Sequence, residues 1–155
     1  LTTYEISIPV LRDRSMAPEG KTGLIISALF DYHLTRQIEA QGWYEEFKAL
    51  CGDVIIGSLD SSCYPGLKEG VVGSFVSTPL TLARMTGNTD GAITGWAFTN
   101  DPIPVTSALP KVAGSVETPI PDVLQAGQWV FSPSGLPISI LTGKLAADKA
   151  LKQLK

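Results

Sequence analysis

Histidine and cysteine are scarce in this chain, and their scarcity removes whole classes of chemistry. His33 is the one histidine, and Cys51 and Cys63 are the two cysteines. With no second cysteine pair and no histidine at ligand spacing, neither a structural zinc site nor a disulfide framework is supported, and free buried thiols are expected. Charge is also thin, with charged residues at 17%, a net charge of -3 and an isoelectric point near 5.1. The 12 lysines and arginines are scattered, so there is no basic footprint for nucleic acid. No apolar run reaches the ~18 residues that a spanning helix requires. Peripheral membrane contact stays open, as does oligomeric state. Glu5 interrupts the N-terminal segment where a signal peptide would be apolar, so a cytoplasmic setting is expected.

What is present is a chain of 155 residues, 44% of them hydrophobic, long enough for a packed core. It begins with Leu1 and enters a strand pattern at once, so it reads as a piece of something longer. Residues 3–10 alternate, with Tyr4, Ile6, Ile8 and Val10 on one face, and Pro9 favours an edge position or a bulge. The apolar run from Leu24 to Phe30 predicts a more central strand, and the two together predict an antiparallel sheet. Apolar residues at Ile38, Trp43, Phe47, Leu50, Cys51, Val54 and Ile55 predict an amphipathic helix between Thr35 and Ser58. A turn at 64–67, a strand at 71–80, and a turn with a short extended stretch at 86–98 follow. Five prolines between 101 and 121 mark a linker or a long packed loop. A short strand at 122–126 and a final helix over 137–153 complete the reading.

Two motifs fail on inspection. Gly20-Lys21-Thr22 matches the end of a phosphate-binding loop, but Ser15 stands where the upstream glycine is required and a strand follows in place of a helix. Ser134 in "SPSGL" resembles a nucleophile elbow, but Ser132 replaces its first glycine and His33 is the only base on offer. No pair of carboxylates has a context that would shift its pKa.

The stretch from Ala126 to Leu151 is more informative. A strand that stops at Gly127 and passes through a loop to a helix at about Pro137 places backbone N–H groups at a sheet's carboxyl edge, where α/β folds bind ligands. The helix N-terminus carries about half a positive charge and favours an anionic atom. Pro137 suits the first turn, Gly135 permits close approach, and Gly143, Ala146 and Ala147 keep one face thin. The same features serve an ordinary strand-loop-helix, and both readings stay open on these grounds.

Residues 118–148, "TPIPDVLQAGQWVFSPSGLPISILTGKLAAD", resemble the C-terminal flavin-binding segment of the FAD-dependent amine oxidase and phytoene desaturase superfamily. Residues 77–98 are similar to its carotenoid desaturase, carotenoid isomerase and retinol saturase branch. The resemblance implies an α+β fold, in which an antiparallel sheet with a packed helix (residues 1–100, part of a substrate-binding domain) is followed by the strand-loop-helix of a Rossmann-type FAD domain (residues 101–155). It implies FAD as cofactor, with Gly127, Gln128 and Trp129 beside the pyrophosphate and ribityl chain and Gly135, Leu136, Pro137 and Ile138 near the isoalloxazine ring. Gln128 stands where the family usually has an aspartate, so the usual carboxylate contact is missing. No residue is implied as an ionisable catalyst. The substrate implied is a hydrophobic polyene or isoprenoid-like small molecule, undergoing desaturation, saturation or isomerisation, with Phe30, Tyr32, Met85, Trp96 and Phe98 as candidate pocket walls. Those aromatics also read as plain core, and oxidation of amines stays open within the superfamily. The family's Gly-x-Gly-x-x-Gly turn occurs nowhere in the sequence. The chain is therefore expected to be a C-terminal fragment that alone neither holds FAD tightly nor turns over substrate. A non-catalytic module binding a hydrophobic ligand or a protein partner is the alternative.

Overall fold

The computed structural model describes residues 3–96 and 102–154. The chain divides into two units, residues 1–79 and 80–155.

In the first unit, β1 (Glu5–Ser7) pairs antiparallel with β2 (Ile25–Ser27), Ile6 opposite Ile26. The antiparallel pairing agrees with the sequence, but the strands are shorter than the alternation suggested. Pro9 starts a 3-10 turn over Pro9–Leu11, because its ring fixes φ and it has no N–H for a ladder. Among the described residues the sheet has two strands, so β2 is no central strand there, and Ile25 and Leu29 are 56% and 85% exposed.

The helix expected over 35–58 is two helices, α1 (Tyr32–Ala40) and α2 (Tyr44–Asp60). Gly42 breaks them apart at φ +83°, a left-handed conformation that glycine adopts without strain. Asp31 starts α1 earlier than the apolar spacing implied, its Oδ1 accepting from the Leu34 N–H at 2.6 Å. Thr35, Ile38 and Leu59 are the buried side chains of these two helices. Tyr64–Leu67 turns as expected, with Gly66 at φ +86°, and leads into the short α3 (Leu67–Gly70).

No strand forms over 71–80 among the described residues. The apolar residues are there, but no strand pairs with them among the described residues, and Val72 and Phe75 are 82% and 92% exposed. Pro79 instead opens α4 (Pro79–Thr86), the first-turn position where its missing N–H costs nothing.

In the second unit the turn at 86–91 forms, with Asp90 at φ 52°, but no extended strand follows up to Trp96. The proline-rich stretch is a packed loop and not a free linker: it carries a 3-10 turn over Leu109–Gly114 and buries Ser115 and Val116. The strand expected at 122–126 is reduced to one isolated antiparallel bridge, Glu117 to Leu124, and a second, parallel bridge joins Thr106 to Phe131. Proline-interrupted flanks leave no neighbour long enough to continue the ladder. The final helix, α5 (Leu136–Gln153), forms where expected. Val116, Phe131 and Thr142 are its unit's most buried side chains among the described residues. Both thiols are free, but Cys51 is half-buried and Cys63 exposed, so the expectation of two buried thiols holds for neither in full.

Candidate functional site

Gly127 and Gly135 bound the loop that precedes α5, at φ +110° and +140°. A Cβ on Gly127 would meet no atom within 4 Å, and one on Gly135 only the Pro137 Cδ at 3.9 Å, so the space beside both is open. The Gly127 N–H donates to the Thr142 Oγ1 at 3.0 Å, and that hydroxyl donates in turn to the Ile138 carbonyl at 2.8 Å. Thr142 is completely buried. A residue inside the second turn of α5 thus fixes where the loop begins. Between them Val130, Phe131 and Ser132 are buried, and the Ser132 N–H donates to the Thr106 carbonyl at 3.1 Å.

The start of α5 is left open. Gly135 is its N-cap and supplies no side-chain cap, and its carbonyl accepts from the Ser139 N–H at 2.9 Å and the Ser139 hydroxyl at 3.0 Å. The first-turn N–H groups of Leu136 and Ile138 belong to the set that no helix satisfies internally. No acidic side chain lies in that turn, and no charged residue occurs between Val123 and Gly143. Within this stretch the field at the helix end comes from peptide dipoles. Beside it the Ser134 Oγ is buried without a hydrogen-bond partner, which is costly unless something else meets it.

A second segment is stitched to this loop. The Trp96 Nε1–H donates to the Trp129 carbonyl at 3.0 Å, and the two indoles meet edge to face at 5.5 Å and 88°. The Trp129 Nε1–H reaches the Asn88 Oδ1 at 3.5 Å, while the Asn88 Nδ2 donates to the Ala92 carbonyl at 3.0 Å. Gly95 sits at φ +83°, and a Cβ there would lie 2.4 Å from the Gln128 carbonyl oxygen.

Of the cofactor candidates, Gly127, Gln128 and Trp129 form one turn of this loop, and Gly135, Leu136, Pro137 and Ile138 form the open helix end. Leu136 is 75% exposed. The substrate candidates do not form one group within either unit. Phe30 lies tilted against Phe47 at 5.5 Å, and Tyr32 meets His33 edge-on at 5.6 Å, both in the first unit. Met85, on α4, is 78% exposed, and Trp96 joins Trp129, a cofactor candidate. Phe98 lies outside the described residues. Thr142, Gly95 and Asn88 were not legible as site residues, and Ser134 drew notice only as a rejected nucleophile. A buried threonine facing inward among the small residues of α5 was the one available signal.

An open groove of about 520 Å³ lies elsewhere in the second unit, lined by Thr106, Lys111, Ser115, Glu117, Gln125 and Val130 among others. Two of its polar side chains are engaged: the Gln125 amide donates to the Ser115 carbonyl at 2.9 Å, and Glu117 pairs with Lys149. Among the described residues no cluster of His, Cys, Asp or Glu could hold a metal ion, and no helix is long and apolar enough to cross a membrane.

No family model matches the chain, and no solved structure matches it. Curated relatives do. Prolycopene isomerase 2, chloroplastic, from an Oncidium hybrid cultivar is 38% identical over 93 residues, 56% of this chain and 14% of that relative. Prolycopene isomerase, chloroplastic, from Daucus carota is 37% identical over 89 residues, with the same coverage of 56% and 14%. The match spans about 14% of the length of the relatives. These similarities bear out the resemblance to the carotenoid desaturase and isomerase superfamily over about half of the chain.

Proposed function

We propose that this chain is the C-terminal portion of an FAD-dependent oxidoreductase that carries out redox chemistry or isomerisation on a hydrophobic polyene or isoprenoid-like substrate. In this reading residues 1–100 belong to a substrate-binding domain and residues 101–155 complete a Rossmann-type FAD domain. The observation that carries it is the neutral, uncapped start of α5 joined to the glycine turn at Gly127 through Thr142. The similarity to prolycopene isomerases supports the substrate class.

The residues present fit the cofactor. Gly127 leaves open space beside a backbone turn, and the Ser134 hydroxyl is buried and unmatched. The Leu136 and Ile138 N–H groups have no capping side chain. FAD, when bound, supplies a reversible hydride acceptor. Gly127, Gln128 and Trp129 would hold its phosphate and ribityl side, and Gly135, Leu136, Pro137 and Ile138 its ring edge. The backbone N–H groups of α5 favour negative charge without any titratable side chain, and they need no reorganisation to do so. Gln128 contributes a neutral amide, which can hydrogen-bond a hydroxyl or phosphate but brings no charge of its own.

A non-catalytic binding module is the second reading, favoured by the exposed apolar side chains of the first unit, Leu29, Val72 and Phe75. Equilibrium dialysis of FAD against the complete gene product and against this chain separates the two. Stoichiometric uptake by the complete protein and weak uptake by the chain is expected. No uptake by either transfers the case to the binding module.

A further inference from the structure

We propose that Gly95 and Trp96 are positioning residues that turn the Gln128–Trp129 peptide so that its N–H is offered to a bound cofactor; this rests on the flavin-site reading above. A loop bounded by two positive-φ glycines has many conformations open to it, and donors that are free to move lose most of their value. Thr142 fixes only the Gly127 end. The middle is fixed from the 88–96 segment. Gly95 packs so closely on the Gln128 carbonyl that a Cβ would come within 2.4 Å of its oxygen. One residue on, the Trp96 indole N–H holds the next carbonyl, that of Trp129, at 3.0 Å. Two successive carbonyls therefore face the clasp.

A trans peptide is planar, with its N–H and C=O on opposite sides. Holding the Gln128 carbonyl against Gly95 thus directs the Trp129 N–H away from Gly95. That N–H has no hydrogen-bond partner among the described residues. The next N–H, of Val130, is used internally, reaching the Gly127 carbonyl at 3.4 Å. The Trp129 N–H is therefore a fixed, unspent donor next to the open turn at Gly127, and the Asn88 contact to the Trp129 indole steadies the ring that carries it. The clasp also links the segment bearing Trp96, a candidate substrate contact, to the cofactor turn.

The test is FAD affinity of the complete gene product at 25 °C, read by fluorescence quenching beside the melting temperature of the cofactor-free protein. Trp96→Phe keeps an aromatic body and deletes the indole donor. A dissociation constant raised about tenfold at a temperature where the apoprotein is fully folded is the expected result. A lower melting temperature with unchanged FAD affinity would make the clasp merely structural and overturn the proposal. If Trp96→Phe does not fold, Asn88→Ala decides: a loss of a few-fold in affinity supports the clasp, and none overturns it. A wild-type protein that takes up no FAD overturns the flavin reading and this inference with it, an outcome distinct from equal binding by wild type and variant.

Discussion

The Thr142 hydroxyl accepts a hydrogen bond from the Gly127 N–H at 3.0 Å, joining the second turn of α5 to a glycine 15 residues earlier. A helix and the loop before it thereby behave as one piece. Replacing Thr142 by Val keeps the side chain's volume and removes the acceptor, leaving a part-buried N–H unmet. The expected loss is about 1–3 kcal/mol of stability, read by urea denaturation, with Thr142→Ser losing less.

Gly95 and Gly87 offer a controlled comparison. Both have positive φ, but a Cβ on Gly87 meets nothing within 4 Å, while one on Gly95 runs into the Gln128 carbonyl. Gly87→Ala should cost about 1 kcal/mol for backbone strain alone. Gly95→Ala should cost more, by about 1–3 kcal/mol, because backbone must shift. Thermal melts of the two variants check the order, and equal melting temperatures would refute the close approach.

The two thiols should react differently. Burial pushes the Cys51 thiol above its ordinary pKa, whereas Cys63 is exposed. Only the thiolate reacts with a disulfide reagent, so Cys63 is expected to label first at pH 8, and the Cys51 rate to rise only at more alkaline pH. Mass spectrometry of a partially labelled sample reads the order directly.

Asp31 caps α1 through Leu34, far in sequence from the candidate site. Asp31→Ala should lower stability by about 1 kcal/mol and leave ligand uptake by the complete protein as it was. The pairing of a stability change with no binding change is the outcome to look for.

The C-terminal half of the candidate site was legible because its signals are local. Pro137 in a first turn and Gly135 before it mark a helix start whatever the tertiary context, and α5 begins within one residue of the expected place. Gly42 lies inside the span that the apolar spacing marks as one helix, and its left-handed conformation ends α1 outright. The strands fared worse, for a reason that period-two alternation cannot contain: a strand exists only where another edge receives it. The segment at 71–80 has the apolar residues but pairs with no strand among the described residues, so it stays irregular and passes into α4. Thr142, Gly95 and Asn88 were illegible because their roles depend on contacts 15, 33 and 41 residues away in sequence.

If residues 127–138 complete a flavin site, the visible absorption spectrum of the purified complete gene product should show it. Flavin bands near one equivalent per chain are expected, lost or sharply reduced when Gly127 is replaced by Val. A colourless protein that gains no bands from added FAD would contradict a flavin site there.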